Sequence, residues 1–427
     1  MKMQITLLLA VLMLFTACSE PQYIDEKPPE TTEAPAEDWT PVDLSCIDSI
    51  DSVFSIHKFV GTCPRIKVDG DFVYVWPRNA AGLYRFHLST GKTTKVCTDP
   101  LCVGGACPFA KGSDNWLVHD HFVYYTVKDS GVEKDPETGR LRSHYQYSIQ
   151  RYDMINQKNE YLYKIPDDGS RYILFDILSD GCLYYTRSRY VENNTEQKAY
   201  YERYVCRTLP DKLGENEEIL YTLPGNSPDA YSDLLEVNEE YFYLIIGAGE
   251  SNRVARISRI DGSTDLLTFP YYYISSARIG DYCYYQSCSG EPVDYLTSTD
   301  GRGDVIVDEN GEPVLTSMYQ LYYTKRNLLT GEEILLGESP LMPSSYPAMV
   351  DGITDNYLYL DFEDGLWRCD HDGNKVKLVR SQEQLAARPI QRIDNRLIYG
   401  NWIFEANAET LVVYDMENGK YLTFELE

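Results

Sequence analysis

Apolar and polar positions alternate with a period of two along most of this chain, in short runs bounded by Gly, Asp and Asn. The runs themselves recur. One unit is Val68-Asp69-Gly70-Asp71-Phe72-Val73-Tyr74: an aliphatic residue, a polar turn, two apolar residues and a tyrosine. A second is Leu83-Tyr84-Arg85-Phe86-His87-Leu88, alternating and closed by the turn Ser89-Thr90-Gly91-Lys92. The first returns at Val118 to Tyr124, Leu178 to Tyr184, Val237 to Tyr243, Ile279 to Tyr285, Ile353 to Tyr359 and Ile393 to Tyr399. The second returns near Ile149, Val205, Ile257, Tyr323, Leu366 and Leu411. Period-two alternation rich in Tyr, Val, Ile and Phe between turn formers predicts strands, and self-similarity at this spacing predicts a repeat architecture.

Each unit divides into four strands. The aliphatic residue ends strand a, the tyrosine lies in strand b and the Leu-Tyr-Arg run is strand c. A short strand d follows, such as Thr94-Lys95-Val96, Ile219-Leu220-Tyr221 or Tyr421-Leu422-Thr423-Phe424. Four-stranded units of roughly 40 to 60 residues repeated around an axis make a β-propeller. The expected fold is therefore all-β, with about seven blades; the irregular third and fifth units leave six or eight open. The last unit carries its own strand d, so a strand that closes the ring has to come from residues 50–60.

Tyr124-Tyr125-Thr126 and Tyr184-Tyr185-Thr186 resemble the YWTD-type propeller signature. YWTD propellers have six blades, and the later units here lack the aromatic-threonine pair. The chain also resembles a family of propeller lipoproteins from Gram-positive gut anaerobes, on the run Cys97-Thr98-Asp99-Pro100-Leu101-Cys102 followed by Cys107-Pro108-Phe109. That resemblance implies a propeller and an exported location, and no activity.

The ends of the chain refine the picture. Residues 1–18 have a basic start at Lys2, an apolar run from Ile5 to Phe15 too short for a comfortable span, and small residues before Cys18. This pattern predicts a lipoprotein signal with Cys18 lipidated, an ordinary signal peptide being the alternative. Residues 19–45, rich in Pro, Glu and Thr, read as a disordered tether, about 30 Å across as a coil and up to about 90 Å extended. Residues 46–427 form one propeller domain. The expected location is the outer face of the cytoplasmic membrane, held through the lipid alone. With 39 Lys+Arg against 66 Asp+Glu, the formal charge of −27 excludes a basic nucleic-acid surface.

Cysteines in an exported chain suggest disulfides. Cys97, Cys102 and Cys107 cluster in one Pro-Gly segment, where a disulfide is favoured over a soft-metal site, zinc wanting tighter pairs and a fourth ligand. Cys46 or Cys63 offers a further partner. Cys182 and Cys283 fall two residues before the strand b tyrosine, where other copies have Phe72, Phe122, Tyr241, Tyr357 and Leu397; with Cys206 and Cys369 they read as small core residues.

In a propeller the b–c and d–a connections emerge on one face. The long connections here, 97–114 (d–a) and 128–146, 187–202 and 286–319 (b–c), therefore gather on that face. Long segments on a rigid scaffold commonly carry function. Arg142, Tyr145, Tyr147, Arg187, Arg189, Tyr190, Tyr200 and Tyr201 offer the Tyr/Arg chemistry of binding hot spots; the alternative is that they extend strands b and c and pack on each other. Val305-Ile306-Val307, a turn at Asn310-Gly311 and Val314-Leu315-Thr316 predict a β-hairpin standing up from the ring. No nucleophile elbow, zincin, phosphate-loop or dinucleotide motif occurs, and no cofactor or metal is indicated. The expected function is a monomeric, non-enzymatic binding module for a peptide, protein or glycan. An assembly scaffold is the alternative, and a polysaccharide hydrolase or lyase a further one. The scaffold reading predicts an exposed apolar patch, the hydrolase reading perturbed carboxylates brought together.

Overall fold

The computed structural model describes residues 66–77, 82–100, 107–110, 115–134, 141–166, 170–191, 200–223, 230–248, 253–267, 276–288, 291–298, 305–342, 352–353, 356–386, 389, 395–399, 401–407 and 409–426. Residues 1–18 and 19–45, expected to be a signal and a tether, residues 50–60 and Cys18, Cys46, Cys63 and Cys102 lie outside them. Seven four-stranded antiparallel sheets form a β-propeller. In chain order the blades run 66–95, 116–164, 171–222, 230–267, 276–338, 352–381 and 395–425. Each contains four strands in sequence order, and only in blade 5 of the described chain do two further strands intervene, between strands b and c.

Register explains why both sequence units recur. The strand b tyrosine sits directly opposite a strand c cation in six blades: Tyr74 opposite Arg85, Tyr124 opposite Arg151, Tyr184 opposite Arg207, Tyr243 opposite Arg256, Tyr284 opposite Lys325 and Tyr359 opposite Arg368. Each of these tyrosines is buried, facing the next blade. A buried phenol needs a polar partner, and in blade 3 the cation across the ladder supplies one: Tyr184 Oη accepts from Arg207 Nη1 at 3.3 Å.

The register corrects two of the expected copies. In blade 5 the tyrosine facing Lys325 is Tyr284, not Tyr285, so Cys283 aligns with Val73, and Tyr282, not Cys283, shares the slot of Cys182. In blade 7, Asn395–Tyr399 is strand a, and Tyr399 pairs with Trp402 across a tight turn. The blade 7 copy is therefore Ile398 to Phe404, and its cross-strand pair is Phe404 opposite Val413.

The core consists of one apolar cluster per blade interface. Blade 1 meets blade 2 through Tyr74, Trp76, Phe109 and Trp116, and the series continues to Tyr359 and Ile403 between blades 6 and 7. The last cluster joins blade 7 to blade 1: Phe404, Trp402, Leu411 and Val413 pack on Val73, Val75, Tyr84 and Phe86. Among the described residues no strand is shared between these two blades, and this packing is what joins them there. The Asp residues before the c–d turns cap them: Asp153 Oδ1 accepts from the N–H groups of Ile155 and Asn156, and Asp415 Oδ1 from those of Glu417 and Asn418.

Candidate functional site

Blade 2 carries the longest strands, Phe122–Lys134 and Leu141–Asp153, of 13 residues each. At about 3.3 Å per residue each spans about 43 Å. Strand a pairs with this hairpin only as far as Tyr125, and strand d only as far as Ser148. Apart from the bond from Ile165 N–H to Tyr147 O, the backbones of residues 128–134 and 141–147 pair among the described residues only with each other, a two-stranded ribbon beyond the sheet. Blade 3 does the same over a shorter length, with Tyr190 opposite Tyr201 and Val191 opposite Tyr200. The segments expected as connections in these two blades are thus mostly strand.

Within these ribbons Arg142 stands opposite Glu133 and Tyr145 opposite Ser130. Tyr147 is exposed, with the Lys128 ammonium 5.8 Å from its ring centre. Arg189 is exposed. Arg187 is engaged within its own blade: Nη2 lies 3.0 Å from Glu217 Oε1, and its guanidinium sits 5.2 Å from the Tyr204 ring. For Arg142, Tyr145, Tyr190, Tyr200 and Tyr201 the description covers the backbone.

The insertion between strands b and c of blade 5 differs. Asp294–Thr297 pairs with Leu315–Met318 as a separate two-stranded sheet. The ladder continues outward through Ile306 N–H to Ser298 O and Val314 N–H to Ile306 O. It ends in the expected turn, where Asp308 Oδ1 accepts from Asn310 N–H and Glu312 N–H, and Gly311 takes φ 81°. Val293, Tyr295, Leu296 and Leu315 are each more than half exposed; Val305, Ile306, Val307 and Val314 are also exposed. Cross-strand partners share a face, so Tyr295 and Leu296 lie on opposite faces and the ribbon is apolar on both. The charges described between residues 291 and 319 are all acidic: Glu291, Asp294, Asp308, Glu309 and Glu312.

Of the cysteine segment, Cys97 and Cys107 are buried in the wall between blades 1 and 2. There Phe109 packs edge-on against Trp76 and Tyr152, with ring centres 5.2 and 4.9 Å apart, and the Trp76 indole donates to Phe109 O at 3.1 Å. Cys206, Cys283 and Cys369 are fully buried core residues.

Near the ends of strands a in blades 1 to 3, His119, Asp120 and Asp176 lie within electrostatic reach of Asp69. Burial pushes the Asp69 carboxyl up to about 6; His119 opposes this and Asp120 and Asp176 add to it. His119 is partly exposed and lies 3.6 Å from Asp120, and the His121 ring rests on Phe122 at 4.0 Å. Since the folded carboxyl holds its proton more tightly than its ordinary value of 3.8 allows, its contribution to stability is complete below about pH 4 and is lost as pH rises through about 6. Asp69→Asn is therefore expected to stabilise the fold at pH 7 by about 1–2 kcal/mol and to change it little at pH 4. Urea unfolding at the two pH values measures this, and equal effects at both would refute the assignment.

No protein-family model matches the chain, and no curated protein matches it. Among solved structures it is similar to a prolyl endopeptidase at 9% identity and TM-score 0.42, over 90% of this chain and 53% of that one. It is also similar to an uncharacterized protein from Listeria monocytogenes (10% identity, TM-score 0.40, 85% of this chain and 93% of that one) and to TolB from Acinetobacter baumannii (11%, 0.31, 84% and 65%). The chain spans about half the length of the prolyl endopeptidase, and at these identities the likeness concerns fold alone.

Proposed function

We propose that this propeller is a non-enzymatic binding module, exported and held to the membrane by lipid on Cys18, that takes a polypeptide partner on its long-hairpin face. The blade 5 hairpin carries this reading. A two-stranded ribbon is marginal in water by itself, and this one presents apolar side chains on both faces. A covering partner supplies the missing burial, and contiguous exposed apolar surface of this kind marks protein interaction sites. Aliphatic rows favour a polypeptide over a glycan. The acidic residues among them, and the chain charge of −27, favour a partner with cationic as well as apolar residues; a second copy of the chain is repelled. The same patch accords with an assembly role in which that polypeptide is an envelope component.

The test is a peptide array graded from acidic to basic, probed with the full chain and with the variant Tyr295→Ser/Leu296→Ser/Leu315→Ser. These side chains are exposed, so the variant keeps its fold. Basic, apolar peptides are expected to bind, and the variant to bind them at least ~10-fold more weakly. Equal binding by the variant would remove the hairpin from the site, and hits confined to glycans would remove the polypeptide reading.

A further inference from the structure

Five blades place an aromatic ring under the strand c cation. The guanidinium or ammonium lies 5.0 Å from the Phe72 ring centre for Arg85, 4.5 Å from Phe122 for Arg151, 5.0 Å from Tyr241 for Arg256, 4.5 Å from Tyr282 for Lys325 and 4.8 Å from Tyr357 for Arg368. In every case the ring stands two residues before the strand b tyrosine. Blade 3 has the cation, Arg207, opposite Tyr184, but at the ring position it has Cys182.

Nothing from the described chain replaces the ring. Arg207 is held in place at two of its nitrogens: Nε donates to Glu218 at 2.8 Å, and Nη1 to Asp180 at 3.1 Å and to Tyr184 Oη at 3.3 Å. Nη2 makes no hydrogen bond to the described residues, and no ring among them lies over the guanidinium. Beside Cys182 and Arg207 lies an open surface cleft of about 350 Å³, lined also by Asp180, Leu209, Lys212 and Glu218. Its far wall is also particular to this blade. Elsewhere the c–d connection is a tight turn with a left-handed residue, as at Gly91, Gln157, Gly262, Gly331 and Gly419. In blade 3 it expands through a one-turn 3-10 helix, Pro210–Lys212. Asp211 of that helix is tied at 2.7 Å to Arg151 of blade 2.

We infer that this cleft is a binding slot for a single aromatic ring, which completes the blade's cation–ring stack on Arg207. The ring belongs either to a Phe or Tyr side chain of a peptide or to a free aromatic small molecule; the stacking chemistry is common to both, since Phe and Tyr both fill the position in other blades. The slot lies on the a–b/c–d face, away from the long hairpins, and stands independently of the function proposed for them.

The test uses the full chain, with N-acetyl-phenylalanine amide, the tripeptide Gly-Phe-Gly and the saturated N-acetyl-cyclohexylalanine amide titrated by calorimetry at millimolar concentrations. The aromatic probes are expected to bind several-fold more tightly than the saturated one. A preference for the tripeptide over the amide assigns the ring to a polypeptide, and the reverse assigns it to a small molecule. Cys182→Phe installs the ring internally: it should abolish binding and raise the melting temperature. Cys182→Ala should keep binding, and Arg207→Gln should weaken it by about 2- to 30-fold. Undiminished binding to Cys182→Phe, equal affinity for the saturated probe, or no binding of any probe would overturn the inference. So would a lowered melting temperature in Cys182→Phe, which would show that the space is not shaped for a ring.

Discussion

Phe404→Ala is expected to lower stability by about 3–5 kcal/mol, more than truncating an apolar residue at the rim of any blade. Six interfaces combine apolar packing with a tyrosine–cation pair, whereas the seventh, where the last blade meets the first, places Phe404 and Val413 at the equivalent positions. Phe404 is fully buried there. Its ring centre lies 5.6 Å from that of Phe86, which in turn meets Phe424 at 5.1 Å. Terminal blades that share no strand among the described residues are joined there by this contact, so the cavity left by alanine weakens the joint itself. Equilibrium unfolding in urea measures the loss. Hydrogen exchange should show Ile66–Asp69 and Trp402–Ala406 losing protection before the strands of blades 3 and 4. A loss below about 1 kcal/mol, or uniform loss of protection, would mean that closure depends on something else.

Glu405→Ala is expected to cost a comparable amount, about 3–5 kcal/mol, by a different route. Arg380 from blade 6 and Glu405 from blade 7 are both fully buried, with Nη1 to Oε1 at 2.9 Å; Arg396 Nε reaches the same oxygen at 3.0 Å. The Arg380 guanidinium rests 4.2 Å from the Tyr414 ring centre and 5.3 Å from that of Tyr421. Its Nε and Nη2, and Glu405 Oε2, find no hydrogen-bond partner. The pair is therefore incompletely satisfied even when intact, and removing the carboxylate leaves a buried cation facing two rings and no counter-ion. The double variant Arg380→Met/Glu405→Leu, which takes both charges out together, should lose much less than Glu405→Ala alone. If the double variant is the less stable of the two, the pair contributes net stability and the desolvation argument fails.

Much of this architecture was legible because two recurring sequence units turned out to be the two halves of one structural device, a tyrosine and a cation facing each other across strands b and c. Where the sequence offered a decoy, the register slipped. Tyr284-Tyr285 gave two tyrosines for one position, and Ile393 to Tyr399 matched the unit by spacing although Tyr399 lies in strand a. In blade 7 strands c and d were placed correctly near Leu411 and Tyr421, and only the strand b copy was misplaced, because the true one has Phe404 where the others have tyrosine. The blade 2 ribbon was read as a connection because Asp129-Ser130-Gly131 and Arg142-Ser143-His144 lack the apolar alternation that marks a half-buried strand. The blade 5 hairpin was visible through its Asn310-Gly311 turn between aliphatic runs. Arg187 looked like a ligand-facing cation because its partner, Glu217, is distant in sequence. The vacant ring position beside Arg207 emerges only once all seven registers are known, since it is an absence measured against the other blades.

The most direct test of the binding account is hydrogen–deuterium exchange on the full chain with and without a saturating cationic, apolar peptide taken from the array. Slowed exchange confined to residues 291–298 and 305–319 is the predicted result, with the a–b and c–d turns unchanged. Protection restricted to the a–b and c–d turns, with the blade 5 hairpin exchanging as before, would contradict it.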